Sequence, residues 1–277
     1  MSTNRELYFQ YKKEGIPDTV IYFALEEING FNHLSLTNNF DQEIKDENRF
    51  VSAMNRYQNG EMIEYIFNKA YFLSKPFYVD NNVLIPRQET EQLVLNTARL
   101  IKDTFHRDNP KIVDICTGSG CIGISLAHIF TNSEIVLSDI SSEALAVANR
   151  NIKEHQLTNV TTVQGDMLEP FSDHVDRFDV IICNPPYIEN ESTIDEKTWK
   201  QEPHLALLAK PGTLFYERVL QDYQKIVKDE FIIAFEIGEE QEETLTKLVN
   251  KYCKGCSFYF EKDMYNKTRF LYIKGKK

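Results

Sequence analysis

From Lys111 onward, short apolar runs alternate with longer amphipathic segments, and this alternation restricts the possible folds more than any other property of the chain. Runs at about 111–115, 134–138, 160–164, 178–182 and 230–236 read as strands, and segments at about 121–130, 142–156, 213–228 and 239–252 read as helices. Alternation of this kind gives a parallel sheet with helices on both faces, an α/β doubly wound fold. Residues 257–260 and 269–273 add two further strands joined by a polar turn. Open sheets of this class bind ligands beyond the carboxyl ends of their strands, so the residues just past each run are the candidate site.

Three strand ends carry chemistry. After the first run comes Asp114-Ile115-Cys116-Thr117-Gly118-Ser119-Gly120-Cys121, a glycine-containing turn that opens a helix. Glycine lets the backbone approach a ligand closely, and the following helix aims its amide groups at the loop. The second run ends on Asp139, placed either to hold a ribose diol or to cap the next helix. Gly118, Gly120 and Gly123 satisfy the dinucleotide pattern G-x-G-x-x-G, so nicotinamide dinucleotides and S-adenosylmethionine both remain open on the loop alone. The fourth run leads directly into Asn184-Pro185-Pro186-Tyr187. Prolines donate no backbone hydrogen bond and restrict their neighbours, leaving a rigid, acceptor-rich turn. An asparagine oxygen and a main-chain carbonyl can take both hydrogens of a planar NH2 group, while the Tyr187 ring offers a face for it. The plain alternative is an ordinary turn after a strand.

The series Asp114 to Gly120, Asp139, Gly165-Asp166-Met167 and Asn184 to Tyr187 resembles the class I S-adenosylmethionine-dependent N-methyltransferases. Pro76-Phe77-Tyr78-Val79, Val83 to Glu91, Glu202 to Leu207, Phe235 to Gly238 and Lys262-Asp263 are similar to the peptide-chain release factor glutamine N5-methyltransferase family. The resemblance covers roughly residues 60–277, with Cys116 where the family's loop starts with glycine and Gln88 where it has proline. It implies a seven-stranded sheet in the order 3-2-1-4-5-7-6, with the last strand antiparallel. The implied cofactor is S-adenosyl-L-methionine, bound by Cys116, Thr117, Gly118, Ser119, Gly120, Asp139, Asp166, Met167 and Asn184. The implied catalytic segment is Asn184, Pro185, Pro186 and Tyr187, which methylates a glutamine side-chain nitrogen in a release factor. Glutamine on a ribosomal protein and adenine N6 in DNA are the alternatives.

The charge bears on that choice. The formal net charge is -11, whereas DNA-binding proteins normally present a basic face to phosphates. Neither direct nucleic acid binding nor a membrane is therefore expected, and no run approaches the roughly 18 apolar residues of a membrane span. The start, Met1 to Glu6, lacks the layout of a signal peptide, which makes the cytoplasm the expected location. The 5 cysteines are an odd number without a disulfide pattern, and the 6 histidines fall in no metal motif, so no metal is expected. The pair Cys253 and Cys256 reads as the end of a helix closed by Gly255.

Residues 1–72 read as a separate helical unit, with helices at 5–13, 18–28, 46–58 and 62–70 and its own small core including Tyr8, Phe9, Tyr11, Tyr22 and Phe23. Lacking chemistry of its own, it is a candidate substrate-docking domain. A connector over 73–85 with a turn at Asp80-Asn81-Asn82 leads to the methyltransferase domain, 86–277.

Overall fold

The structure is a computed structural model that describes residues 2–107, 109–173 and 177–277. It comprises two compact units, Met1–Lys69 and Ala70–Lys277.

The first unit is helical: α1 (Asn4–Lys13), α2 (Asp18–Asn29), α3 (His33–Asn38), α4 (Glu47–Gln58) and α5 (Ile63–Phe67). Thr3 and Glu6 form a capping box at the start of α1, satisfying amide groups that the first turn cannot. Leu7, Tyr8, Tyr11, Ile21, Leu25, Phe50 and Met54 are buried together. Tyr22 and Phe23 pack on their edge, while Phe9 is 47% exposed and lies edge-on to the Tyr8 ring at the surface of that core. The last helix is shorter than its sequence suggests, because Asn68 turns into the left-handed region and Ala70 already begins a strand.

That strand belongs to the second unit. Strands β1 (Ala70–Phe72) and β2 (Lys75–Phe77) form an antiparallel hairpin that straddles the end of the stretch read above as helical and the start of the connector. Leu73 and Ser74 both have positive φ, the geometry of a tight hairpin turn, but neither is the glycine or asparagine that normally announces one. The expected turn at Asp80 is present: its carbonyl accepts the Val83 amide, and its carboxylate accepts the Asn82 amide at 3.0 Å. The long amphipathic α6 (Gln88–Phe105) follows.

Strands β3 (Ile112–Ile115), β4 (Ile135–Asp139), β5 (Val160–Gln164), β6 (Phe178–Cys183), β7 (Val227–Glu236), β8 (Ser257–Lys262) and β9 (Thr268–Lys276) form one sheet in the order β5-β4-β3-β6-β7-β9-β8. Pairings among β3 to β7 are parallel, and β9 lies antiparallel to both β7 and β8. This is the strand order that the family resemblance implies. Residues of β3 and β6 are buried throughout, because α6, α7 (Cys121–Ile129), α8 (Ser142–Glu154), α10 (Leu214–Asp222) and α11 (Glu242–Tyr252) cover the sheet with apolar side chains. The short α9 (Glu196–Gln201) lies in the segment after β6. Residues 213–228 are not one helix: α10 ends at Asp222, a 3-10 turn buries Tyr223, and β7 begins at Val227. Among the described residues no helix is long and apolar enough to cross a membrane, and no group of three or more His, Cys, Asp or Glu could hold a metal ion. All 5 cysteines are free thiols.

Candidate active site

The carboxyl ends of β3, β4 and β6, with the turn after β5, converge on a cavity of about 330 Å³. The loop after β3 is wound tightly, with Cys116, Gly118 and Gly120 all at positive φ. Gly118 and Gly120 adopt this without strain, whereas Cys116 carries a side chain there at a cost of about 1 kcal/mol. Asp114 holds the loop from below: its buried Oδ2 accepts the Thr117 hydroxyl at 2.6 Å and the Gly123 amide at 3.0 Å. Gly123 is a packing glycine, since a Cβ on it would stand 2.1 Å from a Leu137 methyl.

Burial pushes the Asp114 carboxyl up to about 7, and its Oδ1 has no hydrogen-bond partner among the described residues. A folded acid with a raised pKa contributes stability in full below its unfolded value near 4 and loses it as pH rises to about 7. At 1.36 kcal/mol per unit the loss is about 4 kcal/mol. Asp114→Asn keeps an acceptor for Thr117 and Gly123 but cannot ionise. Its melting temperature should therefore gain on that of the unmodified chain between pH 4 and pH 7. Parallel curves in that interval would contradict the assignment.

Asp139 ends β4 with Oδ2 accepting the Gly118 amide at 2.9 Å and Oδ1 accepting the Ser141 amide at 3.0 Å. It does not cap α8, because the Ser141 hydroxyl does so by accepting the Ala144 amide. Burial raises its pKa, and the backbone amides oppose that shift. Beside it, where the Gly165 amide donates to the Asp139 carbonyl at 3.0 Å, Asp166 is paired with Arg218 at 2.8 Å. Met167, at positive φ and buried, places its sulfur 3.7 Å from the Cys116 thiol. Cys116, Thr117, Gly118, Ser119, Asp139, Asp166, Met167 and Asn184 thus line one cavity. Gly120 does not: it is the left-handed residue that starts α7.

Asn184 also lines a second cavity, of about 250 Å³, with Pro185, Tyr187 and Glu236. The two cavities share Leu84, Arg87, Asn184 and Ala206, so Asn184 stands in their common wall. Its Nδ2 donates to the Thr90 hydroxyl oxygen at 3.2 Å, and Thr90 in turn donates to Glu236 Oε2 at 2.6 Å. Tyr187 is held by burial, which raises its pKa to about 12, and its carbonyl accepts Gln241 Nε2 at 3.4 Å. Gly212 presses against that same carbonyl, where a Cβ would come within 2.6 Å. A buried Glu202 fastens the other side of the wall, pairing with Arg87 at 2.5 Å and accepting the Ile85 amide at 3.1 Å.

Thr90, Arg87, Glu202, Glu236 and Arg218 were not singled out from the sequence as site residues. Glu236 carried a usable signal, a carboxylate directly after the apolar run Phe231 to Phe235 at a strand end, much as Asp139 ends β4.

Residues 92–236 match the methyltransferase small domain family. The chain is 33% identical to the release factor glutamine methyltransferase of Mycoplasma mycoides subsp. mycoides over 260 residues, 92% of this chain and 91% of that protein. The chain belongs to the release factor glutamine methyltransferase family. It is a methyltransferase with the class I fold. A ribosomal protein uL3 glutamine methyltransferase of Francisella tularensis is 32% identical over 86% of this chain and 77% of its own length. In fold the chain is similar to a methyltransferase from Pyrococcus furiosus, with a TM-score of 0.54, 18% identity, and 80% of this chain covered against 97% of that one.

Proposed function

We propose that the chain transfers a methyl group from S-adenosylmethionine to the side-chain amide nitrogen of a glutamine in a peptide chain release factor. The position of Asn184 in the wall between two adjoining cavities carries this reading. The larger cavity fits S-adenosylmethionine in its donors and its surface. Main chain from Cys116 to Ser119 would hold the amino-acid end, Asp139 the ribose hydroxyls, and Asp166 with Met167 the adenine, against a lining that also includes Ile115, Ile140 and Phe215. When bound, the cofactor supplies an electrophilic methyl group on a sulfonium.

The smaller cavity then takes the glutamine side chain. Asn184 Nδ2 is committed to Thr90, so its Oδ1 is the end left to accept one hydrogen of the glutamine amide, and the Pro185 carbonyl accepts the other. Tyr187 walls the amide plane. An amide nitrogen is a poor nucleophile, and holding its two hydrogens fixes it in the line of transfer, where position and electrostatics lower the barrier. No dedicated base is required, because the proton can leave once the new bond has formed.

The release factor is favoured over DNA by the acidic charge and by the named relatives, and the uL3 relative makes ribosomal protein the second reading. Incubation with radiolabelled S-adenosylmethionine and, separately, release factor, ribosomal protein uL3 and duplex DNA should label a glutamine in the release factor. Label on DNA or uL3 alone would overturn the substrate assignment. The helical unit is proposed as a docking domain, because a small glutamine side chain offers little to discriminate and selectivity must draw on other surface of the substrate. Removing residues 1–69 should leave binding of S-adenosylhomocysteine intact. Methylation of the whole release factor should then fall much further than that of a short glutamine peptide. Equal losses would sink the docking role.

A further inference from the structure

Asn184 serves as an acceptor only if its carboxamide oxygen is turned away from Thr90, and the side chain alone does not decide this. Its two ends are nearly the same size, so the neighbouring hydrogen bonds set the orientation. Those neighbours come from distant parts of the chain. Thr90 lies in the first turn of α6 and Glu236 ends β7, and they are 3% and 4% exposed. Thr90 lines the larger cavity, Glu236 lines the smaller, and their 2.6 Å hydrogen bond runs through the wall between them.

An ionised carboxylate accepts hydrogen bonds and cannot donate. Thr90 must then direct its single hydroxyl proton to Glu236, and toward Asn184 it has only lone pairs to offer. Asn184 can satisfy those only with its NH2 end, as the 3.2 Å contact shows. Resting on the role of Asn184 proposed above, we infer that Glu236 is a positioning residue whose negative charge, relayed by Thr90, holds the Asn184 oxygen toward the substrate amide. Protonation reverses the chain. A neutral Glu236 can donate to Thr90, which frees the Thr90 proton for Asn184. The amide then turns its oxygen inward and meets the substrate NH2 with an NH2 of its own.

The surroundings of Glu236 set where this reversal falls. Burial and Glu89 on α6 favour the neutral acid, while Thr90, Arg269 on β9 and Asn184 favour the charged one, leaving its pKa raised to about 7. Tyr187, Tyr216, Tyr272 and Cys121 also face it, each pushed by burial further from ionising. The glutamine amide does not titrate in this range.

The test is kcat against pH, between pH 6 and pH 9, with a glutamine peptide of the release factor, alongside the dissociation constant for S-adenosylhomocysteine. The unmodified chain should lose about tenfold in kcat per pH unit below about 7 and reach a plateau above it. Glu236→Gln, whose amide carries no charge and can turn either its oxygen or its NH2 to Thr90, no longer fixes Thr90 as the donor, so it should lose rate at the plateau and show no acid limb. Thr90→Val should lose a similar factor and Thr90→Ser should recover most of it, with the loss in kcat well beyond any change in cofactor-analogue affinity. Variants that keep the parental rate and acid limb would overturn the inference, as would equal losses of rate and analogue binding. If the unmodified chain methylates no glutamine at all, the proposed function itself fails, and the two failures are thereby told apart.

Discussion

Asn184→Ala is expected to lower kcat for glutamine methylation by about 10² or more, while the affinity for S-adenosylhomocysteine changes little. The size follows from what the side chain does: removing one positioned acceptor leaves the glutamine NH2 free to rotate out of line, and that loss is felt at the barrier more than in binding. The neutrality of the cofactor side follows from the contacts. Asn184 lines the larger cavity, but the hydrogen bonds of Asp139 and Asp166 go to Gly118, Ser141 and Arg218. Near-parental turnover by the alanine variant would remove Asn184 from the mechanism.

Asp139→Ala should do the converse. The carboxylate receives the Gly118 and Ser141 amides, so its removal both deletes a ribose acceptor and frees the glycine loop. Charge-assisted hydrogen bonds of about 1.5–3 kcal/mol predict a weakening of about 10- to 150-fold in S-adenosylhomocysteine affinity by calorimetry. With saturating cofactor, much of kcat should return. The same calorimeter should register no heat with NADH. Binding of NADH, or an alanine variant with parental affinity, would refute the cofactor assignment.

The sheet was legible because its signal is local: apolar runs a few residues long, each bounded by a polar or glycine turn, name their own strands. The loop from Asp114 to Gly120 and the tetrapeptide from Asn184 were legible for the same reason, being continuous in sequence. The wall that joins them was not. Asn184, Thr90 and Glu236 meet through contacts spanning 94 and 146 residues, and Arg87 meets Glu202 across 115, distances over which no periodicity carries information. The hairpin at 70–77 was hidden differently, since Leu73 and Ser74 occupy left-handed positions that their side chains disfavour. Cys116 shows the opposite case: it stands where the family has glycine, and the backbone there does adopt the conformation glycine favours.

Sharing a wall has a consequence for ligands that no natural substrate uses. Cavities of about 330 and 250 Å³ that meet at Asn184 can be filled together by one molecule, an adenosine-bearing group tethered through a short carbon bridge to a glutamine analogue. Each half raises the local concentration of the other, so the tether multiplies the two affinities without needing a single new contact. The bridge should be short, because Leu84, Arg87, Asn184 and Ala206 line both cavities and so bring them side by side.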